Sequence, residues 1–403
     1  MTYPNVVPPM AHTAPTADVV VYREGNLAVA VDAKTKIKIA SSTDHAQVIQ
    51  KAIDHVANKG GGRLYIKSGV YCISDTITIS KPIHIEGEFA GFETFPADEH
   101  DMSYVKDVSG VILEVIEEGK DAIRIENVGL PITLKNLVIK FSSNLSKTGH
   151  GIACIPPILA SDPALRETGI CYFLFENVNV IGHDGDHYGF YIVNPCVGTL
   201  IQIFSYGGGG LFIESNGKWH CGNLVVIHPY VIREKGGTAH CYHLKTTNPD
   251  KGSLLNLMQF LRPQCINRVN DGGYRWRDEG AKWYGVYEPD LEGYGNVDIS
   301  DETVWVSSFG APHVRFLGRT VITTRLSVIY SGEETVPANT SSINVNFADK
   351  GLADYGSDRY KVLALPEWDT TVYVTNKSTS GFTLNFGSPP TTDSKVYWLV
   401  IEP

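Results

Sequence analysis

The chain has 403 residues, of which 19% are charged and 39 are glycine, and its formal net charge is −10. That length can bury a large core, and the glycine content suits a turn-rich β protein. The acidic balance excludes nucleic acid as a partner, because phosphate contacts need a basic face. No apolar run is long enough to cross a bilayer, so no membrane insertion is expected.

Residues 1–18 are rich in Pro and Thr and read as an extended arm. They contain neither the basic start nor the apolar run of a secretory signal. The protein is therefore expected to be made in the cytoplasm, and to reach any virion or extracellular workplace by a route such as lysis. Residues 19–39 alternate like two strands. About 44–58 the pattern changes to helical spacing: Asp44 is a good N-cap, Gln47 stands three residues on, and Ala46, Ile49, Ile53, Val56 and Ala57 form an apolar stripe. Gly60, Gly61 and Gly62 stop the helix. Strand-like runs follow at 63–66, 68–73, 76–79 and 83–87.

The middle of the chain repeats. Cys171, Cys196, Cys221, Cys241 and Cys265 succeed one another at steps of 25, 25, 20 and 24 residues. Seven cysteines, an odd count with five of them at such intervals, fit reduced core residues of a solenoid, one per coil at an equivalent inward position, better than a disulfide framework. A short apolar strand closed by Asn recurs around Asn136, Asn177 and Asn223, with a weaker copy at Asn256. Partner strands open on a small or polar residue at Gly151, Gly189, Gly210 and His240. Each coil thus carries at least two short strands, and coils of unequal length imply insertions, where function usually sits.

The runs Ala46–Ile53, Gly60–Ile66, Gly69–Tyr71 and Ile85–Gly87 resemble the opening of a pectate-lyase-superfamily right-handed β-helix, the version found in phage tailspikes and polysaccharide depolymerases. The resemblance implies an all-β, right-handed parallel β-helix (solenoid) over 19–320, with the helix capping its open end. It also implies a polysaccharide partner and a homotrimer. Residues 321–403 alternate apolar and polar side chains between polar turns. They read as a small C-terminal β-sandwich, similar to the lectin-like or trimerisation modules that end many tail fibres.

The densest reactive cluster is the turn from His183 to Tyr188. If neighbouring coils align, Asp184, Asp186, Glu214 and His220 fall on one lateral surface and become the candidate catalytic set, with Asp184 or Asp186 as one carboxyl partner and Glu214 as the other. Glycoside hydrolysis needs two carboxyl groups about 5 Å apart for retention or roughly 6.5–9.5 Å for inversion. Candidate substrate-binding residues are Trp219, Tyr188, Tyr230, Arg233, His243, Arg275 and Trp276, with 267–282 as a loop overhanging the groove. A lyase acting on a uronate-containing glycan is the alternative chemistry. It needs a base, for which His228, Arg233, His240, His243 and Lys245 are candidates, and it brings in a divalent cation such as Ca2+; otherwise no cofactor is expected. The absence of any Cys-x-x-Cys pair argues against a metal site. A non-catalytic structural or receptor-binding protein on the same fold is the competing reading.

Overall fold

A computed structural model describes residues 17–94, 105–126, 131–218, 220–282, 284–287, 289–299, 304–306, 314–316, 321–322, 328–350 and 360–401. Trp219 and nearly all of the expected arm lie outside the described residues. The chain divides into two compact units, the first comprising Met1–Val306 and Ala311–Ile322 and the second Ser307–Gly310 and Thr323–Pro403.

The first unit is a parallel β-helix built from three ladders. Ladder one stacks Val19–Glu24, Arg63–Ile66 and Ile83–Gly87, then the first half of Ile132–Phe141 and of Ile170–Ile181. It continues through Pro195–Ile201, His220–Ile227, Leu254–Leu261 and Gly285–Tyr287. Ladder two stacks Gly69–Ile73, Val105–Val115, the second halves of the same two long strands, then Phe204–Gly207, Tyr230–Arg233, Gln264–Asn267 and Asp290–Gly293. Ladder three holds the short strands Ile77–Ile79, Ile123–Ile125, Ile152–Cys154, Tyr188–Val193, Gly209–Ser215, Tyr242–Thr246, Trp276–Glu279, Val297–Ile299 and Val314–Phe316.

Each strand alternates, so every second side chain enters the coil interior and stacks on its counterparts above and below. Ile79, Ile125, Cys154, Ile192, Ile213 and Leu244 form one such inward column, all fully buried. Burial of one such aliphatic side chain is worth about 2 kcal/mol, and repetition along the axis makes this the main cohesive term. The helix His45–Asn58 buries Ala46, Val48, Ile49, Ala52, Ile53 and Val56 in the same core and packs on the first strands. Asp44 caps it by accepting from the Gln47 amide at 3.1 Å.

The corner between ladders one and two is a stacked series of left-handed residues. Asn136, Asn177, Gln202, His228 and Arg262 occupy equivalent positions with φ between 50° and 55°. Asn tolerates this region better than other side chains, which explains the first two Asn strands. Asn177 also donates to Asn136 Oδ1 at 3.0 Å, one coil below. The third expected copy belongs elsewhere: Asn223 stacks with Leu257 at a second left-handed corner inside ladder one, and Asn256 pairs with Gly222.

The cysteine series likewise divides. Cys171, Cys196 and Cys221 are neighbours on ladder one, where burial lifts the Cys196 thiol to about 12 and the Cys221 thiol to about 11. Cys241, just before a ladder-three strand, instead meets Cys265 of ladder two across the interior. The 20-residue step crosses from one ladder to another, so equal spacing did not mean equal position. All seven thiols are free.

The second unit contains two three-stranded antiparallel sheets. One holds Val328–Val336, Ser394–Ile401 and Lys361–Pro366; the other holds Ser342–Asn346, Gly381–Phe386 and Val372–Ser378. Val345, Phe382, Leu384 and Phe386 from one sheet and Val336, Val396, Trp398 and Val400 from the other share a core with Phe347 and Tyr360. Among the described residues no helix is long and apolar enough to cross a membrane.

Candidate functional site on the outer flank of ladder three

Register sets out three columns on this flank. Arg124, Ala153, Tyr191, Phe212, His243 and Arg277 align on successive strands. Two residues further on, Val193, Glu214, Lys245 and Glu279 align. Just before the strands, Asp121, His150, Tyr188, Gly209, His240 and Tyr274 follow one another.

The flank has walls. The insertion 155–169 doubles back through an Ile158–Arg166 bridge, and Arg166 pairs with Gly217 beside Glu214. Asn248 donates to the Ala164 carbonyl at 3.0 Å, and Lys251 meets Asp162 at 2.8 Å, tying a second loop to the first. On the opposite side stand the turns that carry His187 and Thr238.

Rings fill the middle of the flank. Tyr191 and Phe212 stack at 4.6 Å and 4°, His150 covers the far face of Tyr191 at 4.3 Å, and His243 meets Phe212 edge-on at 4.8 Å. Their faces are used against each other, so the row presents ring edges and polar tips outward. Burial and the neighbouring Glu214 push the Tyr191 phenol up to about 12, so it stays a hydrogen-bond donor.

Backbone donors set the tautomers. The Tyr188 amide donates to His150 Nδ1 at 3.0 Å and the Tyr274 amide to His240 Nδ1 at 3.2 Å. The His240 amide donates to the Tyr188 hydroxyl at 3.2 Å, which in turn donates to His243 Nδ1 at 3.0 Å. Each ring that accepts at Nδ1 carries its proton at Nε2 when neutral. Burial keeps them neutral, pulling His150 down to about 4 and His240 and His243 to about 3. Gly209 makes the Tyr188 bridge feasible, since a Cβ there would lie 2.5 Å from the Tyr188 ring.

Carboxylates occupy the other column. Glu214, only 8% exposed, accepts from the Thr247 hydroxyl and pairs in register with Lys245. Glu279, one strand further, meets His243 Nε2 at 3.4 Å, Lys245 Nζ at 3.9 Å and the Arg277 guanidinium.

The expected site residues separate. Asp184 accepts from the Thr148 amide at 2.7 Å, the Asp186 amide at 3.0 Å and His187 Nδ1 at 2.7 Å. Burial opposes its charge, but these donors hold its carboxyl below the ordinary value. Asp186 accepts from the amide and hydroxyl of Thr238 at 2.9 and 3.1 Å. Both aspartates stitch turns together. They also precede Tyr188, whereas Glu214 pairs with Val193 at the far end of that strand, about 16 Å along at 3.3 Å per residue. The proposed Asp–Glu pair is therefore not formed. His220 starts a strand of ladder one, away from this flank.

Of the binding candidates, Tyr188 and His243 join the network above. Trp276 is an inward residue packed on Tyr242 and Phe260. Arg275 is buried and donates to the carbonyls of Leu291 and Gly295 at 2.7 and 3.1 Å. Arg233 is fully buried against Asp271. Tyr230 faces outward on ladder two, beside Gln264 and Asp290. The stretch 267–282 is not a free overhang, because 276–279 is a rung of ladder three. Tyr191, Phe212 and Glu279 were missed. Aligning the strands that open on Gly189 and Gly210 puts Tyr191 and Phe212 in one column, but His240 stands one residue before the matching position, so the same alignment would have put Tyr242 there in place of His243.

No family model matches the sequence, and no curated protein matches it. Solved structures are similar at low identity. ORF18 of Geobacillus virus E2 is 12% identical, with a TM-score of 0.40, over 87% of this chain and 72% of that one. The tailspike protein of Acinetobacter phage vB_ApiP_P1 is 10% identical, with a TM-score of 0.33, over 89% and 84%. Tailspike gp49 of Acinetobacter baumannii bacteriophage Fri1, described as a capsular polysaccharide depolymerase, is 10% identical, with a TM-score of 0.24, over 88% and 82%.

Proposed function

We propose that this protein binds a polysaccharide along the outer flank of ladder three and hydrolyses it there, working as a homotrimeric spike component of a virion. The observation that carries the reading is the row Glu214–Lys245–Glu279. Its two carboxylates share one face and stand two strands apart. Two spacings of about 4.8 Å separate their backbones by roughly 10 Å, and side-chain reach brings this into the range used by inverting glycosidases. Around them lie hydroxyl, imidazole, guanidinium and ammonium groups, the kinds of partner that sugar hydroxyls accept.

In this mechanism Glu214, the more enclosed of the two, gives its proton to the glycosidic oxygen as the bond to the anomeric carbon breaks. Glu279, surrounded by donors, takes a proton from the water that attacks the opposite face. Lys245 lies between them and orients the sugar that bridges the pair. The acidic net charge supports a glycan rather than a nucleic acid as the long polymer.

The test is a panel of capsular and extracellular polysaccharides, assayed for new reducing ends and for the absorbance of unsaturated uronates. Hydrolysis gives ends without absorbance, and Glu214→Gln and Glu279→Gln each lower the rate at least about 100-fold while leaving the fold intact. Absorbance together with ends makes the enzyme a lyase. Binding without either signal makes it an adhesin.

A further inference from the structure

His240 faces two hydrogen-bond donors, and a neutral imidazole can accept from only one. The Tyr274 amide reaches Nδ1 at 3.2 Å, and Arg277 Nη1 stands 2.9 Å from Nε2. The amide belongs to the next rung and cannot turn away, whereas Arg277 is a long, partly exposed side chain. Nδ1 therefore accepts, Nε2 carries the proton, and a guanidinium N–H points at an imidazole N–H. Both are donors, with no acceptor between them.

We propose that the Arg277–His240 contact is an anion-binding subsite that takes the carboxylate of an acidic sugar. An oxygen placed there accepts from Nη1–H and Nε2–H together and relieves the opposed donors. Its setting is otherwise complete. His240 is buried, and Arg277 lies over the Tyr274 ring at 5.1 Å. The other arm of Arg277 is held by Glu279, while Lys245 at 3.9 Å from Glu279 leaves the local sum of these three side chains positive. Protonating His240 would bring a second positive charge against Arg277, and burial disfavours it as well. The site therefore discriminates by geometry at neutral pH. Arg277 is two residues from Glu279 on the same strand, about 7 Å, so the acidic sugar would sit next to the cleavage point. The inference rests on reading this flank as a glycan groove and names the substrate class: uronate or another carboxylated sugar.

The probe is sodium glucuronate against glucose, followed by the imidazole nitrogen signals of histidine-labelled full-length protein. The expected result is His240 as the Nε2–H tautomer, with signals that move saturably with glucuronate and not with glucose. Arg277→Met should weaken that response at least about tenfold, as loss of a charge-assisted bond requires, and Arg277→Lys should restore part of it. An Nδ1–H tautomer, equal responses to both sugars, or an unchanged response in Arg277→Met overturns the subsite. The two readings fail separately. A glucuronate response in a protein that cuts no polysaccharide removes the hydrolase and keeps the subsite; cleavage of neutral glycans with no glucuronate response does the reverse.

Discussion

Arg233 grips Asp271 with both arms of its guanidinium, Nη1 to Oδ1 at 2.7 Å and Nη2 to Oδ2 at 2.6 Å, from a position with no exposed surface. Nη1 also donates to Asn267 Oδ1 at 3.3 Å and Nη2 to the Gly237 carbonyl at 2.9 Å, while Nε is buried without a partner. The fork holds the Asp271 carboxyl far below the ordinary range and links ladder two to the turn that follows it. Removing one partner strands the other. Asp271→Asn should cost about 2 kcal/mol, less than a fully buried pair because Asp271 is 25% exposed, and Arg233→Met with Asp271→Leu should cost less than the sum of the singles. Urea unfolding checks this; strict additivity would remove the coupling.

His183 provides a pH handle. It is fully buried and donates from Nε2 to the Gly209 carbonyl at 2.7 Å, while its Nδ1 has no partner. Burial pulls it down to about 4, with Lys235 and His150 adding to the shift and Asp184 opposing it. The folded state thus binds the proton less well than the unfolded chain, whose His titrates near 6.5. Stability from this group is complete above about 6.5 and declines as pH falls towards 4, by up to roughly 3 kcal/mol. His150, His240 and His243 act in the same direction. Denaturation at pH 7.5 and 5 should show the loss, and His183→Gln should reduce it by the share of this one group, leaving the part due to His150, His240 and His243, if the variant folds. Equal stability at both values in the wild type would contradict the assignment.

How much was legible follows from these residues. Alternation and the helical stripe are local signals, so strands such as Tyr188–Val193 and the helix His45–Asn58 stood out in the sequence. Which strand a residue stacks on depends on coil length, which no single segment carries. The Cys series shows the failure: 25-residue steps kept Cys171, Cys196 and Cys221 on one ladder, and the 20-residue step moved Cys241 to another. The Asp184–Glu214 pairing failed differently: the Gly189 and Gly210 strands do stack in that register, but Asp184 precedes one end of the strand and Glu214 lies at the other. Residue type misled as well, because Trp276 and Arg233 are groove-like in composition but point inward, where an aromatic stack and an ion pair satisfy them.

The Asn ladder should be measurable on its own. Asn177 has φ 51°, donates to Asn136 at 3.0 Å and to the Ala90 carbonyl at 3.2 Å, and is partly buried. Asn177→Gly keeps the backbone relaxed and loses the bonds, at about 1 kcal/mol. Asn177→Val adds a β-branched side chain in a left-handed conformation and should cost at least about 2 kcal/mol. Reversal of that order in thermal unfolding would show that the corner does not demand this backbone geometry.

Trp276 separates core from groove. Its indole stacks on Tyr284 at 6.2 Å, its Nε1–H donates to the Tyr284 hydroxyl at 3.4 Å, and Phe260 meets it edge-on at 4.9 Å. Trp276→Phe shrinks a packed interior and removes the bond to Tyr284, whose hydroxyl keeps its 2.6 Å bond to Asp278, so a loss of about 1–3 kcal/mol is expected. Glycan affinity per folded molecule should not change, because the side chain opens into the coil and not onto the outer flank. Glu279, three residues on and outward, should show the opposite pattern in Glu279→Gln: cleavage lost, unfolding midpoint within about 0.5 kcal/mol of wild type. Measuring both variants on one saccharide decides the matter. A Trp276→Phe protein that folds normally but no longer holds glycan would turn this rung inside out, and the carboxylate row with it.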